Sequence, residues 1–318
     1  MRIALGLLLG ALLACAQAQP YPTKPVRVLV GLAPGGNPDV LARMLAAKLS
    51  ESLGQQFVVE NRPGAGTNIA AEMVARAAPD GHTLLISDNG VAAINPHVYR
   101  TMPFDPFRDL APVSLAVVVP MWLVAHPSVP ANSIQELVAL GKARREPLPY
   151  ASSGNGSIHH ITMEAFKAQT GTDFTHVPFK GAGQSVPALL AGDVALGFVG
   201  YPAMAQAIKA GRLRVLAFSM ARRSSLTPEV PTVAETVAPG FDMAASIGIF
   251  APSGTRREIV AQLSQAVNAA LKLADVRERM ASIGMEPLGT TPEEYEKILR
   301  QDYERYGALV RRIGIRAD

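Results

Sequence analysis

A chain of 318 residues, 48% of them hydrophobic, is long enough for two lobes that each bury a core, and that composition excludes a disordered chain. The formal net charge is +4, but the arginine pairs at 144–145, 222–223, 256–257 and 311–312 are scattered and lack interleaved aromatics. That pattern reads as a solvated, mildly basic surface and argues against a nucleic-acid partner.

The chain opens on Met1-Arg2 followed by "IALGLLLGALLACAQAQ": one positive charge, a short apolar run and small residues at Ala14, Ala16 and Ala18. This is the pattern of an export signal, too short for a comfortable membrane span, and residues 1–18 are set aside as a signal peptide. Cleavage after Ala18 releases a cysteine-free protein. The alternative takes "LLAC" as a lipid-attachment box with Cys15, the only cysteine, as the new N-terminus. Either way the mature chain has no disulfide, and its stability rests on its cores.

After the signal, apolar runs alternate with helical patterns across Gly-, Pro-, Ser- and Asn-rich connections. "VRVLVGL" leads to a helix over 38–53, "FVVENRPGAG" leads to "TNIAAEMVARAA", and "HTLLISD" ends at "NG". This is the grammar of βαβ units and a parallel sheet. The segment 109–127, with two internal prolines, reads as strand, bend, strand. The pattern then restarts: helix "SIQELVALGKARRE", strand "LPYASSG", helix "SIHHITMEAFKAQTG", then "FTHVPFKGAG", "QSVPALLAGD", "VALGFVGYP" and "LRVLAFS". "SIGIFAP" at 246–252 is a further strand, followed by amphipathic helices, the last opening on a capping-box pair, Thr291 and Glu294. Two α/β lobes with two crossovers are expected, lobe 1 from 19–121 plus 247–318 and lobe 2 from 122–246.

Two turns carry the chemistry. In Gly35-Gly36-Asn37-Pro38-Asp39, Asn37 suits an N-cap, Pro38 the first helical position, and Asp39 the positive end of the helix dipole. The glycines let a ligand approach backbone N–H groups at a helix start, a seat for an anion. "YASSGNGSIHH" repeats the chemistry from the other lobe, with hydroxyls at Ser152, Ser153 and Ser157. Singly, each turn reads as an ordinary connection. Facing each other, the pair would clamp a carboxylate without a fixed cation.

Other chemistries have weaker support. No G-x-x-x-x-G-K-[ST] string occurs, and "GGNPDV", "GAGTNI", "GNGSIH" and "GAGQSV" each lack the third glycine of a dinucleotide fingerprint. A serine hydrolase using Ser153 or Ser157 with a histidine is the enzyme alternative, although there is no G-x-S-x-G elbow. His160 and Glu164 lie four apart on one helix face without an H-E-x-x-H string, so a satisfied helical pair is expected rather than a metal site. Met102, Met121, Trp122 and Met204 read as packing residues.

"YPTKPVRVLVGLAPGGNPDVLARMLA", "QFVVENRPGAGTNIAAEMVARAAPDGHTLL", "INPHVYRTMPFDPFRDLAPVSL", "YASSGNGSIHH", "HVPFKGAG", "VPTVAET" and "FAPSGTRREIV" closely resemble the Bug-type solute-binding proteins of tripartite tricarboxylate transporters, in order along nearly the whole mature chain. The resemblance implies a periplasmic-binding-protein fold of the Venus-flytrap kind, two α/β lobes closing on a small organic carboxylate, and delivery to membrane permease subunits. It implies no catalysis and no cofactor or metal, and a monomer is expected. Matching positions carry the ligand site over to Ala33, Pro34, Gly35, Gly36, Asp39, Ser152, Ser153, Gly154, Ser157 and His160. Further contacts are implied at Ser87, Asp88, Asn89, Gly181, Ala182, Gly183, Gly200, Tyr201 and Pro202. Two departures stand out: Phe179 where the family often has tyrosine, and Val199 where it often has aspartate. An apolar or aromatic ligand end without an ammonium group is expected there, unless these residues pack inside the lobe. A sensor subunit serving a signalling receptor remains an alternative to transport.

Overall fold

The computed structural model describes residues 21–200, 204–224 and 227–316. The signal segment, Cys15, Tyr201 and Pro202 lie outside them. The first half runs β1 Val26–Val30, α1 Asn37–Leu53, β2 Phe57–Asn61, α2 Asn68–Ala75, β3 Thr83–Asp88 and the long β4 Leu110–Ala125. Then come α3 Ile134–Ala143, β5 Leu148–Ser152, α4 Ile158–Thr170, β6 Phe174–Pro178, α5 Ala182–Ala191, β7 Leu196–Gly200 and β8 Arg214–Phe218. The chain ends with β9 Ala244–Pro252, α6 Arg257–Lys272, α7 Ala274–Ser282, β10 Glu286–Pro287 and α8 Pro292–Ile313.

The strand order is β2-β1-β3-β9-β4-β7-β5-β6, with β8 and β10 paired to β4 off this path. β1 is parallel to β2 and β3, and β5 is parallel to β6 and β7. β9 and β4 run antiparallel to their neighbours: β4 runs with the parallel strands of the first lobe and against those of the second, and β9 the reverse. Each half is a three-layer α/β lobe. Val26, Val28 and Val30 of β1 face one core with Leu41, Leu45 and Leu49 of α1, while Leu29 faces the other with Val74 of α2. In the second lobe Tyr150, Leu196 and Phe198 share a core with α4, and Ala151 and Val199 share the opposite one with Trp122. Burial on both faces explains why these strands read as unbroken apolar runs rather than alternating ones.

The segment expected to bend at 109–127 is instead one strand of 16 residues. Its prolines occupy the places where a ladder can do without an N–H. Pro112 borders a register shift against β9, and Pro120 makes the last rung with β9, opposite Ala244. At the next residue the partner changes: Met121 pairs with Gly200 of β7.

Thr291 and Glu294 form the expected capping box at the start of α8. At about 1.5 Å per residue this helix is long enough to span both lobes. Tyr295 and Leu299 pack in the first lobe's core, whereas Tyr306 and Val310 pack in the second's. The C-terminal segment thus returns to the first lobe and also reaches the second.

Candidate functional site

The register of β4 brings the carboxyl ends of β3 and β7 towards each other, and the two turns follow β1 and β5, the parallel neighbours of those strands. Asp88, the last residue of β3, pairs with Ile247, which pairs with Val117 of β4. Gly200, the last residue of β7, pairs with Met121. The carboxyl ends of β3 and β7, one from each lobe, therefore reach β4 within four residues of each other, about 13 Å at the usual strand rise. Ligands of open α/β sheets bind outside such strand ends.

In the first turn Ala33, Pro34 and Gly35 are exposed. The helix starts one residue earlier than expected: Gly36 is the N-cap and Asn37 the first helical residue, with no side-chain cap. Asp39 explains the difference. Its Oδ2 accepts from Gly35 N at 2.9 Å and Arg43 Nε at 3.1 Å, and its Oδ1 from Asn61 Nδ2 at 2.9 Å. Burial acts to raise this carboxyl, and the bonds from Arg43, Gly35 and Asn61 outweigh it and hold the group below the usual range. Asp39 shapes the turn from behind and consumes the Gly35 amide. The amides left for a ligand are those at the start of α1, which have no intrahelical acceptor.

The "GAGTN" stretch, for which the sequence suggested no ligand contact, is a third turn packed against the first. Ala65, Gly66 and Thr67 are all left-handed, with φ of 47°, 59° and 80°. A Cβ on Gly31 would overlap the Thr67 side chain, so these turns fit together only because residue 31 is glycine. Asn95 fastens the arrangement, donating to Gly66 O at 2.8 Å and Asn68 Oδ1 at 2.7 Å.

The second turn is built as expected at its start, with Ser157 capping α4 by accepting from His160 N at 3.3 Å. Gly154 and Gly156 have φ of 130° and 70°, which glycine reaches without strain. His160 points inward: its Nδ1 accepts from Gly156 N at 3.1 Å, and its ring stacks on His176 at 3.7 Å between centroids. Burial first, then the neighbouring His176 and Lys167, push His160 down to about 3. Ser152 is buried, with Oγ 2.6 Å from His176 Nε2 and bonded to both N–H and C=O of Gly154. Ser153, half-buried, has Oγ 2.8 Å from His159 Nδ1.

The outlying residues divide. Asn89 lies at the strand ends, but its side chain is committed to α8, accepting from Tyr295 at 2.9 Å and donating to Asp302 Oδ2 at 3.1 Å. Ser87 donates to Asp88 O, and Asp88 accepts from Gly90 N; burial raises the Asp88 carboxyl. Gly181, with φ of 106°, caps α5, and Gly183 is exposed beside it; Ala182 is the first residue of that helix. Gly200 is buried on its pairing with Met121. Val199 packs with Trp122 and Phe218, and half-buried Phe179 rests on the same cluster.

The Ser153–His159 spacing is what a nucleophile and base require, yet burial pushes His159 down to about 4, too weak a base near neutral pH. Among the described residues no carboxylate orients its other ring nitrogen, and Ser157 is a helix cap. Glu164 accepts from Tyr150 at 2.7 Å and Lys167 at 2.9 Å, so it forms no metal pair with His160.

The model of the tripartite tricarboxylate transporter family receptor, TctC, matches residues 41–315. BugT of Bordetella pertussis is 36% identical over 302 residues, covering 95% of this chain and 93% of its own. Among solved structures, Rpa4515 of R. palustris with adipate superposes with a TM-score of 0.88 at 37% identity, covering 93% of this chain and 99% of that one. MatC from Rhodopseudomonas palustris with bound malate gives 0.84 at 31% identity, covering 91% and 100%. No helix among the described residues is long and apolar enough to cross a membrane. The two-lobed α/β fold, with its strand ends gathered at one place on β4, is that of a periplasmic solute-binding protein, and this chain belongs to the Bug-type, TctC-like family of tripartite tricarboxylate transporter receptors.

Proposed function

We propose that this protein captures a small organic carboxylate between its lobes and passes it, unaltered, to the membrane permease subunits of a tripartite tricarboxylate-type transporter. The observation that supports this is that β3 and β7, one from each lobe, end opposite residues 117–121 of β4, and that the two glycine turns follow β1 and β5, the parallel neighbours of those strands. Amides at a helix start favour an anion without a lysine or arginine. Adipate and malate in the two related structures are ligands of this class.

In this proposal residues 19–121 with 247–318 form one jaw and 122–246 the other, with α8 laid across both. The ligand contacts the backbone of residues 33–36 and the turn from Ser152 to Ser157, with Gly181 to Gly183 and Gly200 at the rim of the second jaw. Asp39, Asn89 and His160 shape the site from behind. The protein works in the periplasm as a monomer after removal of residues 1–18, and closure follows the ligand's higher affinity for the closed form.

The test is native mass spectrometry of the unrefolded protein for a retained small acid, then calorimetry with that acid and turnover assays on ester and amide panels. A retained acid bound reversibly supports the proposal. Turnover sensitive to serine-directed inhibitors overturns it in favour of a hydrolase.

A further inference from the structure

Beneath the second turn, bordered by its Ser152 and Ser153, lies a pit. It is walled by Ala151, Ser152, Ser153, His159, Ser185, Phe198 and Val199, residues from the ends of β5 and β7 and the starts of α4 and α5. Its volume is about 10 Å3, room for about one water-sized group. Three walls are apolar and closed: Ala151, Phe198 and Val199 are 2%, 1% and 5% exposed. The polar walls differ in how far they are satisfied. The Ser152 hydroxyl is bonded to Gly154 and His176, and that of Ser153 to His159. Ser185 is 5% exposed, and its hydroxyl has no partner among the described residues. A hydroxyl that opens on the pit without a protein partner can donate to, or accept from, a neutral group that enters it.

The chemistry of the walls restricts that partner. No charged side chain lines the pit. An ammonium would find no anion and a carboxylate no cation, and neither fits the volume. The imidazole of His159 is neutral, so the pit offers only neutral donors and acceptors.

Resting on the carboxylate proposal above, we infer that Ser185, with the Ser153–His159 pair, forms a specificity pocket for a single uncharged oxygen, a hydroxyl or keto group on the ligand away from the carboxylate held by the glycine turns. A ligand carrying that oxygen gains a hydrogen bond that one lacking it does not.

The experiment is calorimetry with acids paired to differ by one oxygen: succinate and malate, hexanoate and 6-hydroxyhexanoate, benzoate and 4-hydroxybenzoate. In at least one binding pair the oxygenated member should bind about five-fold tighter or more, the usual worth of one added hydrogen bond to a buried partner. In Ser185→Ala that ratio should collapse towards one, and in Ser185→Cys, which keeps the shape and weakens the donor, it should fall part of the way. Circular dichroism melts confirm that both variants fold. No preference in any binding pair means that the pit holds solvent only, and this overturns the inference while leaving the clamp intact. A ratio unchanged in Ser185→Ala overturns it as well. Failure of every acid to bind overturns the clamp and the pocket together.

Discussion

At Gly35 the backbone is left-handed, φ 84°, and its amide is held by Asp39, whereas at Gly36 φ is −74° and an added Cβ would meet only Ala33 O, at 3.5 Å. The two glycines therefore fail differently when replaced. Gly35→Ala strains the turn itself, costing about 1–2 kcal/mol, read as a lower melting temperature. Gly36→Asp leaves the turn's geometry accessible and places a negative charge against the ligand's. Its affinity for the bound acid should drop about tenfold or more, since opposed like charges cost several kcal/mol, with the melt little changed. Unaltered affinity in a folded Gly36→Asp protein would remove the first turn from the site. The sequence made both glycines legible, but not Asp39: an acid at the third position of a helix looks the same whether it faces a ligand or folds back on the preceding loop. Arg43 and Asn61, four and 22 residues away, decide that it folds back.

Among elements, α4 links the second turn to an acid response. His160 is pushed down to about 3 and His159 to about 4, and burial also lowers His176. In the unfolded chain each returns to about 6.5. Between those values the unfolded chain binds more protons, so folding stability is lost as pH falls from about 6.5 towards 4, by up to about 1.4 kcal/mol per pH unit for each histidine kept neutral. Melting temperatures measured between pH 7 and 5 should fall steadily. In His160→Gln, whose amide oxygen can still accept from Gly156, the slope should be shallower; a flat wild-type curve would mean that these rings are not held neutral. The start of α4 was legible because capping is local. The stacking of His160 on His176 was not, because it needs the parallel pairing of β5 and β6.

At the scale of the molecule, β4, β9 and α8 join what the two sheets would otherwise separate. Asp302 on α8 accepts from Asn89 of the first lobe and from Arg305 at 2.8 Å, and Arg305 donates to Asp242 O, just before the chain re-enters β9, at 3.1 Å. With α8 contributing to both cores, calorimetry of the ligand-free protein should show one unfolding transition. Asp302→Ala leaves Asn89 and Arg305 without their shared acceptor and should lower stability by about 1–3 kcal/mol. Two resolved transitions would show that the lobes unfold independently and that α8 is not the tie described. Saturating acid should also reduce the radius of gyration in small-angle scattering, as closing jaws require.

The sequence by itself determined the βα turns, the apolar strands and helix faces, the capping box of α8 and the family, because each is written in neighbouring residues or in a pattern running along the chain. Only the tertiary structure decided that β4 passes unbroken from one sheet to the other, that Asp39 and Asn89 serve the frame, and that Ser153, His159, Ser185 and Val199 share one pit. Those outcomes depend on which strand ends are brought to the same edge. Pairing register settles that, and it is a relation between segments far apart in the chain.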